Sequence, residues 1–98
     1  MPKAYWIARV DVKDSERYQR YLAATAAAFA KYDVRFLARA GKAQVMHGEG
    51  RDRNILVEFP DIQTAVDFYN SPDYQFAIEE RGDSAIVDVT IVEGVEDA

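Results

Sequence analysis

Apolar side chains fall mostly on alternate positions from Ala4 to Val12 (AYWIARVDV), the period of a strand, and Asp14 and Ser15 then offer an N-cap to a run with a different period. In SERYQRYLAATAAAFAKY, Tyr18, Leu22, Ala26 and Phe29 recur at helical spacing, and the alanines favour helix, which should end around Lys31 to Asp33. Alternation returns in Val34 to Ala40 (VRFLARA). Gly41 and Lys42 supply a turn, and a second extended run is expected from about Ala43 through Phe59, bent at Gly48 to Gly50. Asp61 caps a helix over Ile62 to Asn70. Ser71 and Pro72 stop it and start another, which Gly82 closes. Ala85 to Glu93 (AIVDVTIVE) reads as a last strand, and the tail GVEDA, residues 94–98, is too short and polar to fold alone. The whole chain, residues 1–98, therefore reads as one α+β domain of the ferredoxin-like βαββαβ kind, a four-stranded antiparallel sheet with its helices on one face.

Alternation also divides the strands into two faces. One set, Trp6, Ala8, Val10, Val12, Val34, Phe36, Ala38, Ala40, Ile55, Val57, Phe59, Val87, Val89 and Ile91, is almost wholly apolar and belongs under the helices. The other is mixed. Ile7, Leu37, Leu56, Ile86 and Val92 alternate there with Arg9, Arg39, Glu58 and Asp88, an apolar patch with charges of both signs. Such a face suits self-pairing across a two-fold axis, so a homodimer through the open sheet is expected, with Ile7, Arg9, Leu37, Arg39, Leu56, Glu58 and Asp88 as its candidate residues. Arg9, Arg35 and Arg39 on that face could bind an anionic substrate bidentately, but they are expected instead to pair with Asp11, Glu58 and Asp88 of the same or the partner sheet.

Composition narrows the partners. A net charge of −5, with acidic and basic residues interspersed, argues against nucleic acid and anionic membrane. No apolar run approaches the length that spans a bilayer, and the start lacks the pattern of a signal peptide. The chain has no cysteine, which removes disulfides and thiolate chemistry, and a cytoplasmic protein is expected.

The single histidine, His47 in VMHGEG, could act in proton transfer with Glu49 nearby, although an exposed hairpin residue explains it more simply. No H-x-x-x-H grouping is present, so neither a metal nor another cofactor is expected. The aromatic residues could simply form a core. Several tyrosines on one side, each with a hydroxyl to satisfy, point instead to a pocket between helices and sheet, with Trp6, Tyr18, Phe36, Tyr69 and Tyr74 as candidates. Arg51-Asp52-Arg53 reads as a solvated turn, and the one histidine leaves no Ser-His-Asp triad to assemble.

AYWIARVDVKD, FAKYDVRFLARAG and EFPDIQTAVDFYNSPDYQ together resemble the domain of unknown function 1330 family, over nearly the whole chain. The most specific part is Phe59-Pro60, Ala65, Phe68-Tyr69, Ser71-Pro72 and Tyr74-Gln75. The resemblance implies the dimeric α/β barrel superfamily, in which two ferredoxin-like subunits set their sheets face to face. It also implies an acidic residue where His47 stands and an aromatic near Gly50, and this sequence departs from both. Members of that superfamily include cofactor-independent monooxygenases, haem enzymes and ligand-sensing domains, so fold alone leaves function open. Three readings follow: a homodimer holding a small organic ligand; a cofactor-independent monooxygenase or isomerase of an aromatic or carbonyl compound, with His47 or Tyr69 assisting proton transfer; and a non-catalytic interaction module.

Overall fold

The computed structural model describes residues 2–96; Asp97 and Ala98 of the expected tail lie outside them. Strand β1 (Ala4–Val12), helix α1 (Ser15–Phe29), strands β2 (Arg35–Arg39) and β3 (Arg53–Phe59), helices α2 (Ile62–Tyr69) and α3 (Pro72–Arg81) and strand β4 (Ala85–Glu93) follow in that order. The sheet runs β2-β3-β1-β4 with every neighbouring pair antiparallel, the βαββαβ arrangement with its second helix in two pieces. Each helix starts where its cap stands. The Asp14 and Asp61 carboxylates accept from the amides of Arg17 (3.2 Å) and Thr64 (2.7 Å). The Ser71 hydroxyl accepts from Tyr74 N (3.2 Å) while donating to Phe68 O (2.7 Å), joining the end of α2 to the start of α3. Gly82 closes α3 at φ 53°, and the Arg17 guanidinium lies against it where a Cβ would stand.

Three local expectations fail, each for a physical reason. The run from Ala43 does not pair, and β3 begins only at Arg53. Val45 and Met46 are adjacent rather than alternating, so one strand face could not bury both, and they are exposed in the connecting loop. Gly48 and Gly50 both have positive φ; at Gly50 a Cβ would stand 2.4 Å from a Val45 methyl, so the loop folds back on itself. Helix α1 is rotated from the expected face. Tyr18, Tyr21, Thr25 and Ala28 point inward and Ala26 outward; the Thr25 hydroxyl tolerates that burial because it donates to Leu22 O within the helix at 3.0 Å.

The third departure lies in β2. Phe36 stands opposite Val57, Ala38 opposite Leu56 and Arg39 opposite Ile55, so Leu37 is a bulge that resets the alternation. Arg39, expected on the open face, is thereby turned to the helix side, and Ala38 moves to the open face. Leu37 keeps company with Ala38, 43% exposed.

The core is aromatic and centres on Trp6. Its indole meets Tyr74 at 5.2 Å, Phe68 at 5.4 Å, Tyr69 at 6.0 Å, Phe29 at 6.1 Å and Phe59 at 6.2 Å between ring centroids, mostly edge to face or tilted. Phe68 is fully buried and stacks on Phe29 at 4.3 Å, so one side chain of α2 bridges sheet and α1. Phe68→Ala should therefore lower the unfolding free energy by about 3–5 kcal/mol. In urea titrations the exposed Phe76→Ala should change it by no more than about 0.5 kcal/mol.

On the open sheet face, charge pairing differs from the expectation. Arg51 reaches back from the loop to hold Asp88 (2.8 Å) and Asp11 (3.0 Å), and Asp52 N donates to Asp11 at 2.9 Å. Glu58 takes Lys3 (3.3 Å) and the Tyr5 hydroxyl (3.4 Å). The carboxylates expected to serve Arg9, Arg35 and Arg39 are thus engaged elsewhere within the subunit, and Arg51 is no solvated turn residue. The Asp52 amide, followed by Arg51, holds the Asp11 carboxyl below its ordinary value. A carboxyl depressed in the folded state stabilises fully above its unfolded value of 3.8, and that contribution disappears as pH falls through the lower folded value. Denaturation midpoints measured from about pH 5 to about pH 2 should fall less steeply for Asp11→Asn than for the parent.

Candidate functional site

Helix α1 packs along α3, where Arg17 donates to the carbonyls of Glu80 (3.2 Å) and Glu79 (3.5 Å) at the end of that helix. Between α1 and the β2-β3-β1 part of the sheet there remains a cavity of about 210 Å³. Trp6, Ala8 and Val10 of β1 form its floor with Ile55, and Phe29 and Phe36 close one end. Tyr18, Tyr21, Leu22 and Thr25 project into it from α1, while Arg39 and Arg53 stand on the sheet side. Its size is close to that of engineered cavities of about 150 Å³ that hold benzene, which sets the scale of an occupant at one or two rings.

Tyr21 Oη and Tyr74 Oη are 2.7 Å apart and buried, one hydroxyl donating to the other across the α1–α3 junction. Burial is the main cause that pushes both phenols above their ordinary value; at Tyr21 the Tyr74 hydroxyl and Arg81 partly offset it. Both stay protonated near neutral pH and do not serve as bases.

Of the aromatic residues read as pocket candidates, Trp6, Tyr18 and Phe36 share this cavity. Tyr69 and Tyr74 do not. They line a second space of about 220 Å³ with Ile78, Arg81, Val87, Val89 and Ile91, on the far side of the Trp6 indole. His47 is exposed in the loop between β2 and β3 and lines neither space, nor a third of about 280 Å³ between Lys3, Arg35, Glu58 and Pro60. Tyr69 is 37% exposed. Neither residue is placed to move a proton in the first cavity. Among the described residues, no three His, Cys, Asp or Glu side chains gather as metal ligands would.

Four polar lining residues were outside the pocket candidates. Tyr21 follows from its helical spacing to Tyr18 and Thr25, once the rotated face of α1 is known. Arg53 shares the parity of Ile55 and Val57, so extending the buried set two residues back along β3 would have found it. Arg39 carries no such signal, because the bulge at Leu37 reverses its side. Thr25 is a polar residue on an alanine-rich helix, and only the structure gives it an inward position.

Comparison with known proteins gives fold more than chemistry. A protein of unknown function from Rhodopseudomonas palustris, a structural genomics target, superposes with a TM-score of 0.76 at 14% identity, over 98% of this chain and 85% of that one. SnoaB, a cofactor-independent oxygenase from Streptomyces nogalater, does so with a TM-score of 0.63 at 12% identity, over 99% and 97%. A dimeric ferredoxin-like protein of unknown function from Thermobifida fusca gives 0.58 at 11% identity, over 91% and 90%. These likenesses show a shared fold. Among curated proteins the sequence has no match. The family model described as domain of unknown function (DUF1330) matches residues 3–95, nearly the full length of the sequence motifs from β1 to β4. The chain belongs to the DUF1330 family.

Proposed function

We propose that this protein is a homodimer that binds one small organic ligand per subunit in the cavity under α1. The observation that carries the reading is the cavity itself, a space of about 210 Å³ whose largely apolar and aromatic walls carry a few polar side chains, Tyr18, Thr25, Arg39 and Arg53. Apolar walls with a few convergent polar groups are the usual make-up of a small-molecule site. The homodimer draws support from the exposed apolar side chains of the open sheet, Leu37, Ile86 and Val92, and from the dimeric ferredoxin-like neighbour. Ile7, Arg9, Leu56, Glu58 and Asp88 remain its candidate residues on that face. Arg39 leaves the set.

A second reading draws on the fold shared with SnoaB, a cofactor-independent oxygenase. Among the described residues no carboxylate or imidazole lines the cavity, and the buried Tyr21 phenol, whose burial raises it above its ordinary value, is a poor base. A substrate oxidised there would have to lose its own acidic proton to water, and the protein would hold the resulting anion rather than generate it.

Native mass spectrometry should give a dimer, and Leu56→Asp, which places a charge at the centre of the open face, should give a monomer that is still folded by circular dichroism. A parent protein that is monomeric at micromolar concentration removes the dimer from the reading. Trp6 is the only tryptophan and lines the cavity, so its emission should change when a ligand enters. Ala8→Leu, which fills the floor of the cavity, should abolish that change, and a response that survives it places the ligand elsewhere.

A further inference from the structure

Arg39 and Arg53 are the only charged side chains that line the cavity under α1. Arg39 stands opposite Ile55, and Arg53 lies two residues back on the same side of β3, so the two guanidiniums rise from diagonally adjacent ladder positions, with backbones about 7–8 Å apart. Among the described residues neither makes an ion pair, although the chain carries 17 carboxylates. Arg53 Nε is moreover buried without a hydrogen-bond partner. Arg53 thus holds a buried donor without a partner next to the more exposed Arg39, and an anion between the two satisfies that donor and is attracted by both charges.

The rings around them orient that anion. The Arg39 guanidinium lies 4.1 Å over the Phe36 ring, and that of Arg53 lies 5.4 Å from the Tyr18 ring. A guanidinium stacked by its face keeps its N–H edge free, and that edge matches the two oxygens of a carboxylate. Resting on the small-ligand reading above, we propose that the cavity is specific for a planar, conjugated monoanion. Its ring lies between Trp6 and Phe36, and its carboxylate or enolate oxygens accept from Arg53 and Arg39. The bulge at Leu37 is part of this site, since without it Arg39 would face the open side of the sheet.

The test uses the intact protein and two probes of equal shape, benzoate and benzamide, with binding followed by calorimetry and by Trp6 emission. Benzoate should bind at least about tenfold more tightly than benzamide, and added salt should weaken benzoate only. Arg53→Gln and Arg39→Gln should each remove the benzoate advantage while leaving benzamide binding and the dimer intact. Arg35→Gln, an exposed arginine opposite Glu58 on the other side of the sheet, should leave both probes unchanged. In nitrogen-resolved NMR spectra, the Arg53 Nε–H signal should shift with benzoate and not with benzamide. Equal affinity for the two probes overturns the anion and leaves the small-ligand reading standing. Binding of neither overturns both. A dimer that dissociates in Arg53→Gln assigns the two arginines to partner carboxylates and also overturns the proposal.

Discussion

The Trp6 indole stands where β1, α1 and the two C-terminal helices meet, and the other parts of the molecule are placed by what packs against it. Phe59 and Phe68 hold one side, Tyr69 and Tyr74 another, and Phe29 brings down the end of α1. Because aromatic pairs favour tilted and edge-on contacts over parallel ones, a cluster of this kind fixes angles as well as distances. Helix α1 is pinned at its end by Phe29 and along its side by α3. Its middle turns, carrying Tyr21 and Thr25, are left spanning a gap. The cavity is thus a product of the packing: small alanines in β1 and a helix suspended between two firm contacts.

That arrangement also isolates the two interior spaces from each other. Trp6 and the Tyr21–Tyr74 hydroxyl pair form the partition between them, with the apolar wall of one cavity on one side and Arg81 on the other. The charge on the sheet is divided in the same way. Asp11, Asp88 and Glu58 are held on the open side by Arg51, Lys3 and Tyr5, and the unpaired Arg39 and Arg53 stand under the helices.

Strand period and capping residues made the element order legible from the residues alone, and the residues assigned to the buried face of β1 and β3 lie there, although that set stopped short of Ala4 and Arg53. The same rule failed in β2, because alternation predicts a side chain's direction only while the ladder keeps count. One bulged residue inverts every assignment beyond it, and nothing in VRFLARA marks Leu37 as the extra one. Pocket residues were harder still. Aromatic content nominated five side chains, but three line one space and two the other, a division that follows from packing around Trp6 and not from local pattern. His47 drew notice for its chemistry alone, and chemistry without an element to hold it gives no position.

The bulge has a bearing on how the sheet ends. Strand β2 is one free edge of the order β2-β3-β1-β4, and an edge strand exposes unpaired amides and carbonyls on which another chain can build. A break in the ladder within five residues, with arginines at both ends of the strand, spoils that template. Strand β4 is the opposite case: nine residues in continuous register with β1, rich in valine and isoleucine. The sheet is therefore closed to further growth on one flank and open on the other, and any added strand, whether a peptide, a second subunit or a misfolded copy, meets a regular edge only at β4.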